Sequence, residues 1–487
     1  MSIQFDEGVA GVVRGESEGK VMRLRHREME DALGGPVDRS ITVEKVRQIA
    51  QEFTDESEFV DLKSKGTMLG KRKNRDLWRL EMGKDIAAFA NARGGVLIFG
   101  VEDAKSAGPC ERLKPFTPDE VDPGELIEDT RKAIREVTAP LPDYDIFQVR
   151  DPDDETFYVV CVVPPSASAP HAVRQPGDGR NGLFYPSRAP GESHAQFLVE
   201  FQVAELYERR ARVGEDRRKR AETVWADGID ALDAPRAPRV WLAVASVPDL
   251  ARDDVLTAEA RREIEEWEDS ADTFPTLIQK GFSGVGGYPV PAPGRMCLTQ
   301  AVSDQEGTRA LISVVSGFYC EIHADGSAFA ALPLSELDGT SPFTIATDEL
   351  VDTVATATAH AVAWTGARTG LWGATTVTAG IVVNGTDDTV LKIDGYGGFD
   401  SRRIIHRPVE RRWPRAVTSV DLADTSSMQE RLAVAFRLAT SLVQAFGVPG
   451  LGWLTEEGAL RPYRMNNDRV GTAREWANRH HVRLDNN

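Results

Sequence analysis

The stretch DIAAFANARGGVLIFGVED, from Asp85 to Asp103, constrains the fold more than any other part of the chain. Ile86, Phe89 and Ala90, with Met82 before them, recur at the three- and four-residue spacing of one helical stripe. Gly94 stands where a helix-ending residue of left-handed conformation is expected, and VLIFGV then runs apolar without alternation, as a strand covered on both faces does. A helix, a sharp reversal and a buried strand therefore follow one another without a break.

Upstream, ESEFVDLK spans Glu56 to Lys63. Val60 and Leu62 alternate with Phe59, Asp61 and Lys63, so Asp61 and Lys63 share one face of a half-buried strand. Glu56 lies an odd number of residues from Asp61 and reaches that face only from the preceding turn. Glu102 and Asp103 follow directly after the apolar strand. If the two strands are neighbours, the carboxylates of Glu56, Asp61 and either Glu102 or Asp103 meet Lys63 at one sheet edge. Carboxylates held that close repel one another unless a hard cation such as Mg²⁺ or Mn²⁺ lies between them. Such a cation activates water or stabilises charge on a phosphodiester, and Lys63 suits the phosphate oxygens. Solvated acids at strand ends are the plain alternative.

The surrounding segments supply partners for this unit. TVEKVRQIAQEF reads as an amphipathic helix with Thr42 as its N-cap. Residues 124–137 read as another helix, DIFQVR and TFYVVCVVPPS as strands, and GLFYPSR as a further strand. SHAQFLVEFQVAELYERRARV closes the unit as a long helix with Phe197, Phe201, Ala204 and Leu206 or Tyr207 facing inward. After the prolines of ALDAPRAPRV the texture changes to new strands and helices, among them SMQERLAVAFRLATSLVQAFG with a Ser427–Glu430 capping box. The expected organisation is an irregular arm over 1–40, an α+β domain over 41–215, a charged helix and linker over 216–238, and a second α/β or α+β domain over 239–487.

Composition sets outer limits. With 487 residues the chain exceeds the usual size of one domain. No run is apolar enough for a membrane helix, and the first residues do not read as a signal peptide, so a cytoplasmic protein is expected. The four cysteines have no ligand spacing, and a structural zinc is not expected. The net charge of −18 opposes nucleic-acid binding on average. Local runs restore it: Lys65, Lys71, Arg72, Lys73 and Arg75 form one basic segment. GTMLGK is one residue short of a phosphate-binding P-loop, and Arg72 stands where Ser or Thr is needed, so no nucleotide site is expected there.

The pair ESEFVDLK and DIAAFANARGGVLIFGVED, followed by LFYPSRAPGESHAQFLVEFQVAELY, resembles the signature of the Schlafen AlbA-type domain over about residues 50–210. The resemblance implies an α+β fold, nucleic-acid binding and, in some members, metal-dependent cleavage of tRNA or other structured RNA. Carried over by position, Glu56, Asp61 and Glu102 or Asp103 are the catalytic acids, Glu56, Asp61 and Asp103 the Mg²⁺ or Mn²⁺ ligands, and Lys63 the phosphate partner. Tyr185 and Arg188 match the family's Tyr-x-x-Arg, and join the basic segment as nucleic-acid contacts. Asp61 departs from the usual Glu and is shorter by one methylene. Animal members build a groove from two such lobes, so a homo-oligomer is expected here. Two other functions fit the same residues: a non-catalytic DNA-binding regulator, and a protein-interaction scaffold.

Overall fold

The computed structural model describes residues 37–52, 57–69, 74–102, 111–175, 182–188, 194–232, 240–251, 256, 288–299, 302–303, 309–310, 318–335, 343–369, 372–383, 391–396, 403–406, 413–465 and 467–486. The chain is a mixed α+β protein built on two main sheets.

The first sheet has strand order β1-β2-β5-β4. Its strands are β1 (Val60–Lys63), β2 (Gly95–Phe99), β4 (Asp145–Arg150) and β5 (Phe157–Val163). β3 (Thr138–Ala139) belongs to a small separate ribbon. β1 runs parallel to β2, pairing Asp61 with Leu97 and Lys63 with Phe99, while β5 is antiparallel to both β2 and β4. Helix α1 (Val43–Glu52) covers one face with Val43, Val46 and Ile49, packed on Val60, Leu62, Val96 and Ile98. The Thr42 hydroxyl accepts from the Lys45 amide at 3.3 Å, the cap the sequence calls for.

Between β1 and β2 lie α2 (Lys65–Leu69) and α3 (Arg75–Ala90), and α4 (Pro123–Val137) follows β2. Met82, Ile86, Phe89 and Ala90 of α3 pack with Leu97 and Phe99 on the opposite face from α1. Every residue of β2 is buried, which explains its unbroken apolar run. Gly94 turns the chain at φ +80°, and a β-carbon there would meet the Val163 carbonyl and the Pro165 ring.

Four short strands follow, β6 (Ala172–Arg174), β7 (Leu183–Phe184), β8 (Pro186–Ser187) and β9 (Gln196–Phe197). They lead into α5 (Glu200–Leu232), a single helix of 33 residues. Here the structure corrects the sequence reading. Phe197 and Phe201 are 58% and 61% exposed, Tyr207 is 48% exposed, and Ala204 is also at the surface. The stripe is real but nothing among the described residues covers it. Buried positions on α5 begin only at Ala221. Its solvated middle is laced with i,i+4 pairs, Glu208–Arg212 at 2.8 Å and Glu215–Lys219 at 2.9 Å.

The second sheet joins β10 (Val240–Pro248), β11 (Tyr288–Ala292), β12 (Arg295–Thr299), β15 (Tyr319–His323), β16 (Ala328–Ser335), β18 (Ala374–Val383) and β21 (Arg415–Asp421). The order is β11-β12-β15-β16-β10-β18-β21, antiparallel throughout. β13 (Val302–Ser303) pairs with β14 (Arg309–Ala310), and β17 (Phe343–Ala346), β19 (Leu391–Tyr396) and β20 (Arg403–His406) form another small sheet. α6 (Thr347–Thr369) and α7 (Met428–Gln444) cover one face of the large sheet. The Ser427–Glu430 capping box opens α7. On the other face, Ala221, Val224, Trp225 and Leu232 of α5 pack on Trp241 and Phe329. α8 (Asn467–Arg479) places Trp476 in the core of this unit, so the tail aromatic folds inward.

Candidate nucleic-acid interface

The register of β1 on β2 sends Asp61 and Lys63 to the α3 face, as their spacing predicts. Asp61 is fully buried and Lys63 22% exposed, with the Lys63 ammonium 3.0 Å from an Asp61 carboxylate oxygen. Arg188, from the end of β8, is 2% exposed and ion-paired to the same carboxylate. It also donates to the Ser57 carbonyl at 3.0 Å, and its guanidinium stacks 4.4 Å from the Phe89 ring centre. Lys63 reaches a second carboxylate, Asp85 on α3, at 3.5 Å. Two buried acids thus meet Lys63 and Arg188 in one network, and the Lys84 ammonium stands 3.9 Å from the Asp85 carboxylate. Burial, opposed chiefly by Lys63, pushes the Asp85 carboxyl up to about 6.

Asn91 positions Arg188. The Asn91 side chain is buried, donates to the carbonyls of His171 (2.9 Å) and Pro186 (2.8 Å), and accepts from the His171 amide at 2.6 Å. The backbone two residues before Arg188 is thereby pinned to the end of α3. Desolvation lowers the His171 pKa and keeps the ring neutral, with Nδ1 2.8 Å from the Pro140 carbonyl. Sequence reasoning missed Asp85 and Asn91. Both lie inside DIAAFAN, where a charged or amide residue among apolar helix positions was the available signal.

The other predicted residues fall as follows. Glu102 is partly buried at the end of the strand next to β1, its amide donating to the Arg112 carbonyl at 2.8 Å. Lys65 pairs with Glu120 at 2.6 Å, both side chains about a third exposed. Arg75 is exposed at the start of α3. Tyr185 is half-buried, its hydroxyl 3.4 Å from that of Tyr207. Glu56, Lys71, Arg72, Lys73 and Asp103 lie outside the described residues.

Among the described residues no group of three or more His, Cys, Asp or Glu side chains could hold a metal ion. Asp61 meets a guanidinium and an ammonium where a metal ligand would meet the cation. Of the three acids named as Mg²⁺ or Mn²⁺ ligands, only Asp61 is among the described residues. Lys63 ends β1, and Lys65 and Arg75 begin the two helices that follow it. No described helix is long and apolar enough to cross a membrane.

No curated protein matches this chain. Among solved structures, it is similar to the N-terminal domain of an ATP-dependent DNA helicase RecG-related protein from Nitrosomonas europaea. The identity is 19%, over 31% of this chain and 94% of that one, at a TM-score of 0.20. Residues 56–185, which hold β1, β2, α3 and the Asp61–Lys63–Asp85 network, match the family model described as Schlafen, AlbA_2, and the N-terminal unit carries a domain of that type.

Proposed function

We propose that the N-terminal unit binds nucleic acid through the basic edge at the carboxyl end of β1. What supports this most is that Lys63 ends β1 and that Lys65 and Arg75 begin the two helices after it, in a unit that matches the Schlafen, AlbA_2 model. The Lys65–Glu120 pair is exposed, and pairs of that kind contribute about 0–1 kcal/mol, so phosphate can displace the glutamate at little cost. Binding is favoured over cleavage because Asp61 is fully buried and engaged by Arg188 and Lys63. Metal-dependent cleavage of tRNA or another structured RNA is the finer reading. It requires Glu56 and Asp103 to join Asp61 around Mg²⁺ or Mn²⁺, with Asp61 released from Arg188. A homo-oligomer is the assembly in which two such edges would face one groove.

The test is a fluorescence-anisotropy titration of labelled RNA and DNA between low and physiological salt, with and without EDTA. Affinity should fall steeply with salt, survive EDTA, and weaken when Lys65 and Arg75 are both changed to Glu. Absence of any salt-dependent binding would leave the scaffold reading in possession. Cleavage on adding Mn²⁺, lost in Asp61→Asn, would replace binding alone with nuclease action.

A further inference from the structure

The exposed aromatic face between β7 and the first turns of α5 has no role in the ion network. Leu183, Phe184, Phe197, Val199, Phe201 and Tyr207 are all more than a third exposed. Among the described residues, every phenylalanine that exposed lies in this stretch. Such clustering on one surface marks a contact site, because single exposed apolar residues are ordinary but contiguous ones are not.

The rings are arranged in a particular way. Phe184 and Phe197 have centroids 5.5 Å apart with planes tilted by 52°. Tyr185 and Tyr207 meet edge to face at 6.5 Å. Neither contact is a stacked pair, and Phe197, at 58% exposed, keeps much of its ring in solvent. Beside them lies a cleft of about 450 Å³. Its lining mixes Phe197 and Leu206 with Arg93, Arg209, Gln202 and one acid, Glu205. Arg93 is 42% exposed, lies 3.7 Å from the Glu58 carboxylate and spans the Phe59 ring at 5.3 Å, and Arg209 is exposed on α5. Open rings, arginines and amide groups together are what unpaired nucleotides require: stacking surfaces, phosphate partners and donors for base edges.

We propose that this face is a stacking platform for single-stranded nucleic acid, with bases lying on Phe197 and Phe201 and the backbone following Arg93 and Arg209. The proposal rests on the nucleic-acid reading above and names its substrate class. Arg188 separates the two surfaces: it closes the cleft on one side and holds Asp61 on the other.

The experiment compares the intact protein with a Phe197→Ala/Phe201→Ala variant, using labelled oligo-dT and oligo-U of about twenty nucleotides and a duplex of the same length. Both side chains are exposed, so the variant should keep the wild-type melting temperature. Single-strand affinity should fall about tenfold or more, as expected for lost base–aromatic stacking, while duplex affinity changes less than about twofold. Phe197→Tyr should retain wild-type affinity because the π face is kept. Equal loss on both substrates, or none on either, would overturn the platform while leaving binding at the basic edge intact. A drop in sedimentation coefficient with unchanged single-strand affinity would assign the face to a second copy of the chain and overturn the proposal. A wild-type protein that binds neither substrate would remove the parent reading as well.

Discussion

Asp61 and Arg188, 127 residues apart in sequence, form a buried ion pair that ties the edge strand β1 to the segment entering α5. Both side chains are almost without solvent contact, and removing one partner strands the other's charge. Arg188→Met should therefore destabilise the N-terminal unit by about 3–5 kcal/mol. Urea unfolding followed in that unit should show the loss. The double change Asp61→Asn/Arg188→Met should cost clearly less than the sum of the singles, and additivity would contradict the pairing.

Asp85 gives the network a pH dependence of definite sign. Its folded pKa, about 6, is raised above the ordinary 3.8 of an aspartate. The stability it contributes is complete below about pH 4 and is lost as pH rises through about 6. Asp85→Asn removes that loss. The variant should gain on the wild type by about 1–3 kcal/mol between pH 4 and pH 7. Melting temperatures of both proteins across this range decide the matter, and a gap that stays constant with pH would refute it.

Gly95 has no side chain because the Phe89 ring occupies the space. A β-carbon there would fall within the ring and only 2.8 Å from the Phe59 carbonyl oxygen. Gly95→Ala should cost about 1–3 kcal/mol by overpacking. The paired change Gly95→Ala/Phe89→Leu should recover part of the loss in thermal unfolding, since the clash is with that ring.

Gly214 sits in the solvated middle of α5 with nothing within 4 Å of where a β-carbon would be. Gly214→Ala should raise stability by about 0.5–1 kcal/mol through helix propensity alone. Hydrogen exchange of the amides around residue 214 should slow correspondingly. Unchanged exchange would mean that this part of the helix is not limited by the glycine.

Trp225 is the main anchor of the far end of the helix, edge to face with Phe329 at 6.2 Å and beneath the Arg415 guanidinium at 4.8 Å. Trp225→Ala should cost about 3–5 kcal/mol. The loss should appear in unfolding of the second unit and leave the Asp61 network intact.

Much of this was legible in the order of residues. The periodicity around Phe89, the reversal at Gly94 and the shared face of Asp61 and Lys63 all emerge as read, because local spacing and burial agree there. The partners of Asp61 were not legible, because a strand pattern shows which face a carboxylate takes and not which distant guanidinium arrives. The resemblance names Arg188 as a nucleic-acid contact, and in the fold its guanidinium pairs with Asp61. Phe197 and Phe201 were read as inward because an apolar stripe presupposes something to pack on. Asp85 was passed over inside an apolar helix, although a charge there must find a counter-charge.

The single helix α5 has a mechanical consequence. From Phe201 beside the aromatic cleft to Trp225 in the second core, it spans about 36 Å without a loop. Arg217 ties it to Asp249, and Arg220 to Asp325 at 3.1 Å, just past the solvated stretch. One unbroken helix thus joins the segment of the exposed rings to the core of the second sheet. Gly214 is the one place on its bare length where the shaft would yield first.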